Sequence, residues 1–211
     1  MFRYLILGAL FALLISSLPA HPQKEAVGVD LLITNATIVT MDSERHVIEH
    51  GTIATRGRQI YAVGPLNEYE FMFQKGVQAK QTIDARGKLV LPGLINAHTH
   101  VPMSLLRGLK DDVTLDDWLK NYIFPAEAKN VTEDFVRWGT RLAAAEQIRS
   151  GVTTFADMYY FEDAIAEETK AAGMRGILGE TFIDFPAPDN KTHDQLLATQ
   201  KNSSSAGKTI R

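Results

Sequence analysis

The stretch Leu89-Val-Leu-Pro-Gly-Leu-Ile95-Asn-Ala-His98-Thr-His100 decides how the chain is read. Its first seven residues carry no polar side chain, so it offers no face to water. Such a run suits a strand buried on both sides, as in a parallel sheet covered by helices. The run closes on two histidines two positions apart. Side chains alternate along a strand, so both imidazoles point the same way and both reach one metal ion. In isolation, His-x-His is more often an exposed or hydrogen-bonded pair. At the mouth of an apolar core, however, two polar rings need a compensating partner.

Downstream of this strand the pattern alternates. Leu115 to Phe124 reads as a short helix. Thr132 to Arg149 reads as a long one, with Thr132 as N-cap, Glu133 and Asp134 in the first turn and Gly151 as the stop. Strands follow at Val152–Met158 and from Arg175, separated by a helix from Glu162 to Ala172. This β–α–β–α–β order implies an α/β fold with a parallel sheet and right-handed crossovers. Upstream, Val29 to Val63 holds short strands punctuated by Asp42–Arg45 and Arg56-Gly-Arg58, which predicts a small antiparallel sheet.

The chain has 22 Lys+Arg against 25 Asp+Glu, a net charge of −3 that disfavours a nucleic-acid partner. With no cysteine, disulfides, thiolate zinc sites and cysteine nucleophiles are excluded, so any metal falls to His, Asp or Glu. Residues 1–20 carry Arg3, an apolar run from Leu5 to Leu14 and a polar exit. That is the layout of a signal peptide and predicts export to the periplasm or medium, with no stable membrane span once the leader is removed.

The run from Ile83 to His100, continued by Val101-Pro-Met-Ser-Leu-Leu-Arg-Gly-Leu-Lys-Asp-Asp112, Leu115-Asp-Asp-Trp-Leu119 and Phe124-Pro-Ala-Glu127, resembles the amidohydrolase superfamily. Within it, the similarity is to the aminohydrolase branch of 5-methylthioadenosine/S-adenosylhomocysteine deaminases and chlorotriazine hydrolases. It covers roughly Val29 to Asn190. The resemblance implies a (β/α)8 TIM-type barrel preceded by part of a small β-sandwich domain. It also implies a divalent metal, zinc or iron, that lowers the pKa of a water whose hydroxide attacks the carbon bearing an amine or halide. On this resemblance His98 and His100 match two metal ligands, and Glu127 matches the carboxylate that hydrogen-bonds ribose hydroxyls. The implied substrate is a cyclic amidine such as an adenosine-type nucleoside, deaminated at a non-peptide C–N bond. Glu180 stands near a position where the resemblance leads one to expect Arg, which argues against a simple nucleoside assignment.

The family's later ligands, two further histidines and an Asp, have no match here, since His193 is the only histidine after His100. Three of eight barrel strands can be placed, and a whole barrel takes about 250 residues. The expectation is therefore a leader over 1–20, part of a β-sandwich over 28–82 and the N-terminal part of a barrel over 83–190. The serine-rich remainder, 191–211, is expected to be a disordered or frameshifted tail. Such a truncated chain is expected to be inactive alone. A non-catalytic binding or assembly module, and the N-terminal subunit of a split enzyme, stay open, with a homo-oligomer or a complementing C-terminal fragment as partner. Among single residues, Asp157 is expected to cap the following helix and Glu146 to pair with Arg149. Trp118, Phe135 and Trp138 are expected to pack as helix faces.

Overall fold

The structure is a computed structural model that describes residues 26–65, 67–68, 76–183, 186–190, 192, 194–195, 197–198 and 208–210. The expected leader lies outside the described residues. The chain divides into two compact units, Met1–Pro92 and Gly93–Arg211.

The first unit is a five-stranded sheet of β1 (Val27–Val39), β2 (Val47–Arg56), β3 (Gln59–Pro65), β4 (Val77–Asp84) and β5 (Leu89–Val90), ordered β3-β2-β1-β4 with β5 also on β1. Strands β2 and β3 form a hairpin whose two-residue turn places Gly57 at φ +59, in the left-handed region that glycine occupies without strain. The expected antiparallel arrangement holds for β1, β2 and β3. Strands β4 and β5, beyond the stretch that expectation covered, run parallel to β1. In that parallel register Val77 and Ala79 pack with Val27, Val29 and Leu32. Because Thr82 to Val90 pair with β1, the boundary falls after Pro92 rather than after residue 82.

The second unit holds the parallel strands β6 (Leu94–Thr99), β7 (Val152–Tyr159) and β8 (Arg175–Glu180). Helix α1 (Leu115–Trp118) starts on Thr114, whose hydroxyl accepts from Asp117 N–H, and continues through a π-helical turn (Leu119–Ile123) into α2 (Phe124–Asn130). The wide turn has a local cause. Pro125 has no N–H to give the carbonyl four residues back, and just before it Phe124 N–H reaches back to Leu119 O. Helix α3 (Glu133–Arg149) is capped by Thr132, as its sequence predicts, and α4 (Glu162–Ala171) links β7 to β8. Val136, Ala143 and Ala144 of α3, Ala164 and Ile165 of α4, and Phe155, Tyr159 and Leu178 of the sheet share one core.

Four expectations are corrected here. The apolar run is not one strand buried on both sides: Leu89–Val90 belongs to the first sheet, and β6 is an edge strand with Ile95 71% exposed. The described residues leave its apolar face uncovered. The tail is not wholly without structure, because Lys208–Ile210 (β9) pairs antiparallel with β8. An open strand edge accepts any extended segment through its backbone groups, whatever that segment's polarity. Trp138 is 63% exposed, with the Arg141 guanidinium 4.9 Å from its ring centroid, so it covers no core. Glu146 pairs with Arg107 at 2.6 and 3.1 Å, not with Arg149.

Candidate active site

Strand β6 ends at Thr99, and the chain turns through a 3-10 segment, Val101–Leu106, that packs against α3. His98 and His100 flank this corner with ring centroids 5.0 Å apart and planes at 79°. Both line a cleft of about 530 Å3 together with Met103, Arg107, Lys110 and Trp118. His100 Nδ1 is 2.6 Å from Met158 O. A carbonyl has no proton to give, so Nδ1 carries the hydrogen and the Nε2 lone pair is left for another partner.

His100 also lines a second, largely apolar cleft of about 350 Å3, walled by Met103, Trp118, Leu119, Phe124 and Ile183, whose polar groups include the Glu127 carboxylate and the Tyr159 and Tyr160 hydroxyls. Glu127, from α2, is 4% exposed. Tyr159 Oη donates to its Oε1 at 2.8 Å and Tyr160 Oη to its Oε2 at 3.4 Å. Burial raises the Glu127 carboxyl above its ordinary range, while the two tyrosine hydroxyls and His100 pull it back. Burial next to that carboxylate pushes both phenols well above theirs. Glu127 and His98 do not share a cleft; His100 belongs to both.

Asp157 caps no helix. Its Oδ1 accepts from Thr99 Oγ1 at 2.5 Å and Val101 N–H at 2.7 Å, while α4 has Phe161 at its N-cap position and no side-chain cap. Glu180 is absent from the lining of either cleft. Its Oε2 accepts from Glu162 N–H at 3.1 Å, and its carboxyl bonds that of Asp189. Its charge still reaches the apolar cleft through Tyr160, whose phenol it helps to raise. Sequence reading missed Tyr159, Tyr160 and the cleft-lining role of Trp118. Strand alternation could have found Tyr159, which shares a face with Asp157 at the C-terminal end of β7.

Catalytic zinc takes three protein donors and a water. Among the described residues no group of three or more His, Asp or Glu converges on one point. Asp157 is committed elsewhere, so the imidazole pair fits as two donors of such a set.

A sequence profile of the amidohydrolase family matches residues 89–211, from the apolar run through both histidines to the last residue. The chain belongs to the amidohydrolase family. This amidohydrolase chain is 52% identical over 159 residues to the 5-methylthioadenosine/S-adenosylhomocysteine deaminase of Syntrophobacter fumaroxidans, covering 75% of the chain and 35% of that protein. It thus spans about a third of the length of the curated relatives it matches. The amidohydrolase is also similar to an adenosine deaminase from Xanthomonas campestris with bound zinc, at 32% identity and a TM-score of 0.76 over 87% of this chain and 42% of that one. An atrazine chlorohydrolase of Arthrobacter aurescens complexed with zinc shares the fold, at 24% identity and a TM-score of 0.65 over 82% and 43% of the two chains.

Proposed function

We propose that this amidohydrolase chain supplies two metal donors, His98 and His100, and a diol-binding carboxylate, Glu127, to a hydrolase of non-peptide C–N bonds. Its substrate is a cyclic amidine of the adenosine type, deaminated with water as the nucleophile. In this reading the first unit is part of a small β-sandwich and the second is the N-terminal part of a (β/α)8 barrel. One observation carries the proposal: His100 lies at the junction of two clefts, one shared with His98 and the other with Glu127. A reacting ring and a sugar bound next to each other require that juxtaposition.

Each residue has a distinct task. The His100 Nδ1–H is committed to Met158 O, so the ring is oriented before any cation arrives. A divalent cation bound there, zinc or iron, supplies Lewis acidity that lowers the pKa of water. Glu127 Oε1 is committed to Tyr159, and Oε2, with the longer tyrosine contact, has capacity left to accept from a ligand hydroxyl. Trp118, Leu119 and Phe124 shield that contact from water.

The test is deamination of adenosine and 5-methylthioadenosine, followed by ultraviolet absorbance. The chain is assayed alone and mixed with the C-terminal two thirds of the Syntrophobacter fumaroxidans relative. Turnover is expected in the mixture only, lost on chelation and lost with His98→Ala. Turnover that survives both the chelator and His98→Ala overturns the proposal.

A further inference from the structure

Asp157 is a 6% exposed carboxylate with no task in the chemistry above. Its bonds surround His100. Oδ1 accepts from the Thr99 hydroxyl at 2.5 Å and from Val101 N–H at 2.7 Å, the residues on either side of that histidine. The next residue, Met158, gives its carbonyl to His100 Nδ1 at 2.6 Å. Three consecutive residues, 99 to 101, are thus each gripped by the end of β7. The ladder between β6 and β7 pairs Thr99 with Asp157, but its register is irregular between Asn96 and Thr99, the interval that contains His98, so the side-chain bonds of Asp157 add to a ladder that is broken just before this corner.

The second oxygen of Asp157 is turned inward. Oδ2 and Glu162 Oε2 are buried without another partner, and the two side chains bond one another. Glu162 is completely buried, and its Oε1 accepts from Tyr159 N–H at 2.8 Å. Burial and the charge of Asp157 push the Glu162 carboxyl up to about 10. Asp157 is thus backed by a second buried carboxyl, while its Oδ1 accepts on the side of the histidines.

We propose that Asp157, backed by Glu162, is the positioning residue that sets His98 and His100 for cation binding. The proposal rests on the reading of that pair as metal donors. Asp157 touches neither the cation nor the substrate; it fixes the backbone that carries the donors. The supports of metal-ligating histidines are worth about 10- to 100-fold in metal affinity.

The test uses the 211-residue chain, with zinc alone as probe in equilibrium dialysis. Two-bond proton–nitrogen spectra of the histidine rings are recorded on the metal-free chain as a second readout. Asp157→Ala is expected to weaken zinc binding about ten-fold or more and to release His100 from its Nδ1–H tautomer. Asp157→Asn keeps an oxygen for Thr99 and Val101 and an amide for Glu162, and is expected to restore both readouts. Thr99→Val removes one donor without disturbing the core and is expected to fall between them, which keeps the test decisive if Asp157→Ala does not fold. Wild-type affinity and tautomer in both Asp157→Ala and Thr99→Val, with zinc binding lost in His98→Ala, overturn the positioning role alone. Zinc binding indifferent to His98→Ala and His100→Ala overturns the metal reading beneath it.

Discussion

Tyr159 Oη donates a 2.8 Å hydrogen bond to Glu127 Oε1, tying the end of β7 to α2 across 32 positions of sequence. The bond answers an electrostatic problem. A carboxylate 4% exposed has lost most of its water, and two phenol donors replace it.

Removing one donor gives the first prediction. The Glu127 carboxyl is raised by burial, so the folded state holds its proton more tightly than the unfolded state does. That contribution is present in acid and is lost as pH rises through the folded value. Above the folded value, where the carboxyl is ionised, Tyr159→Phe leaves it with only its 3.4 Å tyrosine partner and is expected to cost about 1–3 kcal/mol. In acid, where the carboxyl is protonated, the deficit shrinks. Urea unfolding at the two pH values checks this, and equal deficits at both would show that the ring alone matters.

How much of this was legible beforehand differs from element to element. Helix α3 was readable to within a residue at each end because Thr132, Glu133, Asp134 and Gly151 are local signals. The pairing of β4 parallel to β1 was not, since strand direction depends on partners distant in sequence. His98, His100 and Glu127 could be named from their motifs. The groups that hold them could not: Asp157 reads equally well as a helix cap, and Tyr159 as an ordinary strand aromatic, until β6 and β7 are set side by side. Trp138 misled for a related reason, because size and helical spacing say nothing about which helix face meets a neighbour.

The second prediction concerns Glu180. Burial, then the hydrogen bond and the charge of Asp189, push its carboxyl from 4.5 up to about 8. Because the folded value is raised, the stabilisation is complete below 4.5 and is lost as pH rises toward 8. Glu180→Gln mimics the protonated acid: its oxygen still accepts from Glu162 N–H and its amide donates to Asp189. Its melting temperature is expected to match wild type in acid and to exceed it in mild alkali, by an amount equivalent to about 1–3 kcal/mol. Thermal unfolding across that pH range by circular dichroism measures the gap. A constant gap at every pH would mean the Glu180–Asp189 proton is not the source.

The third prediction sets two neighbours on α3 against each other. Gly139→Ala removes a helix-interior glycine, which by propensity alone stabilises by about 1 kcal/mol. A Cβ at that position, however, would lie 2.5 Å from Pro102 O, 2.6 Å from Pro102 Cα and 2.9 Å from Pro102 C. These are backbone atoms of the 3-10 segment that follows His100, and they cannot swing aside like the tip of a side chain. Overpacking of this kind costs about 1–3 kcal/mol, so the clash outweighs the propensity gain and the substitution is expected to destabilise. The displacement also reaches the site, because Val101 N–H is the group held by Asp157. Gly139→Ala is therefore expected to weaken zinc binding as well as to lower the urea midpoint. Trp138→Ala, one residue away, removes a far larger side chain but only an exposed ring and its contact with Arg141, a loss of about 0.5–1 kcal/mol with no effect on zinc. If Gly139→Ala proves the more stable of the two and binds zinc like wild type, α3 does not buttress the histidine corner.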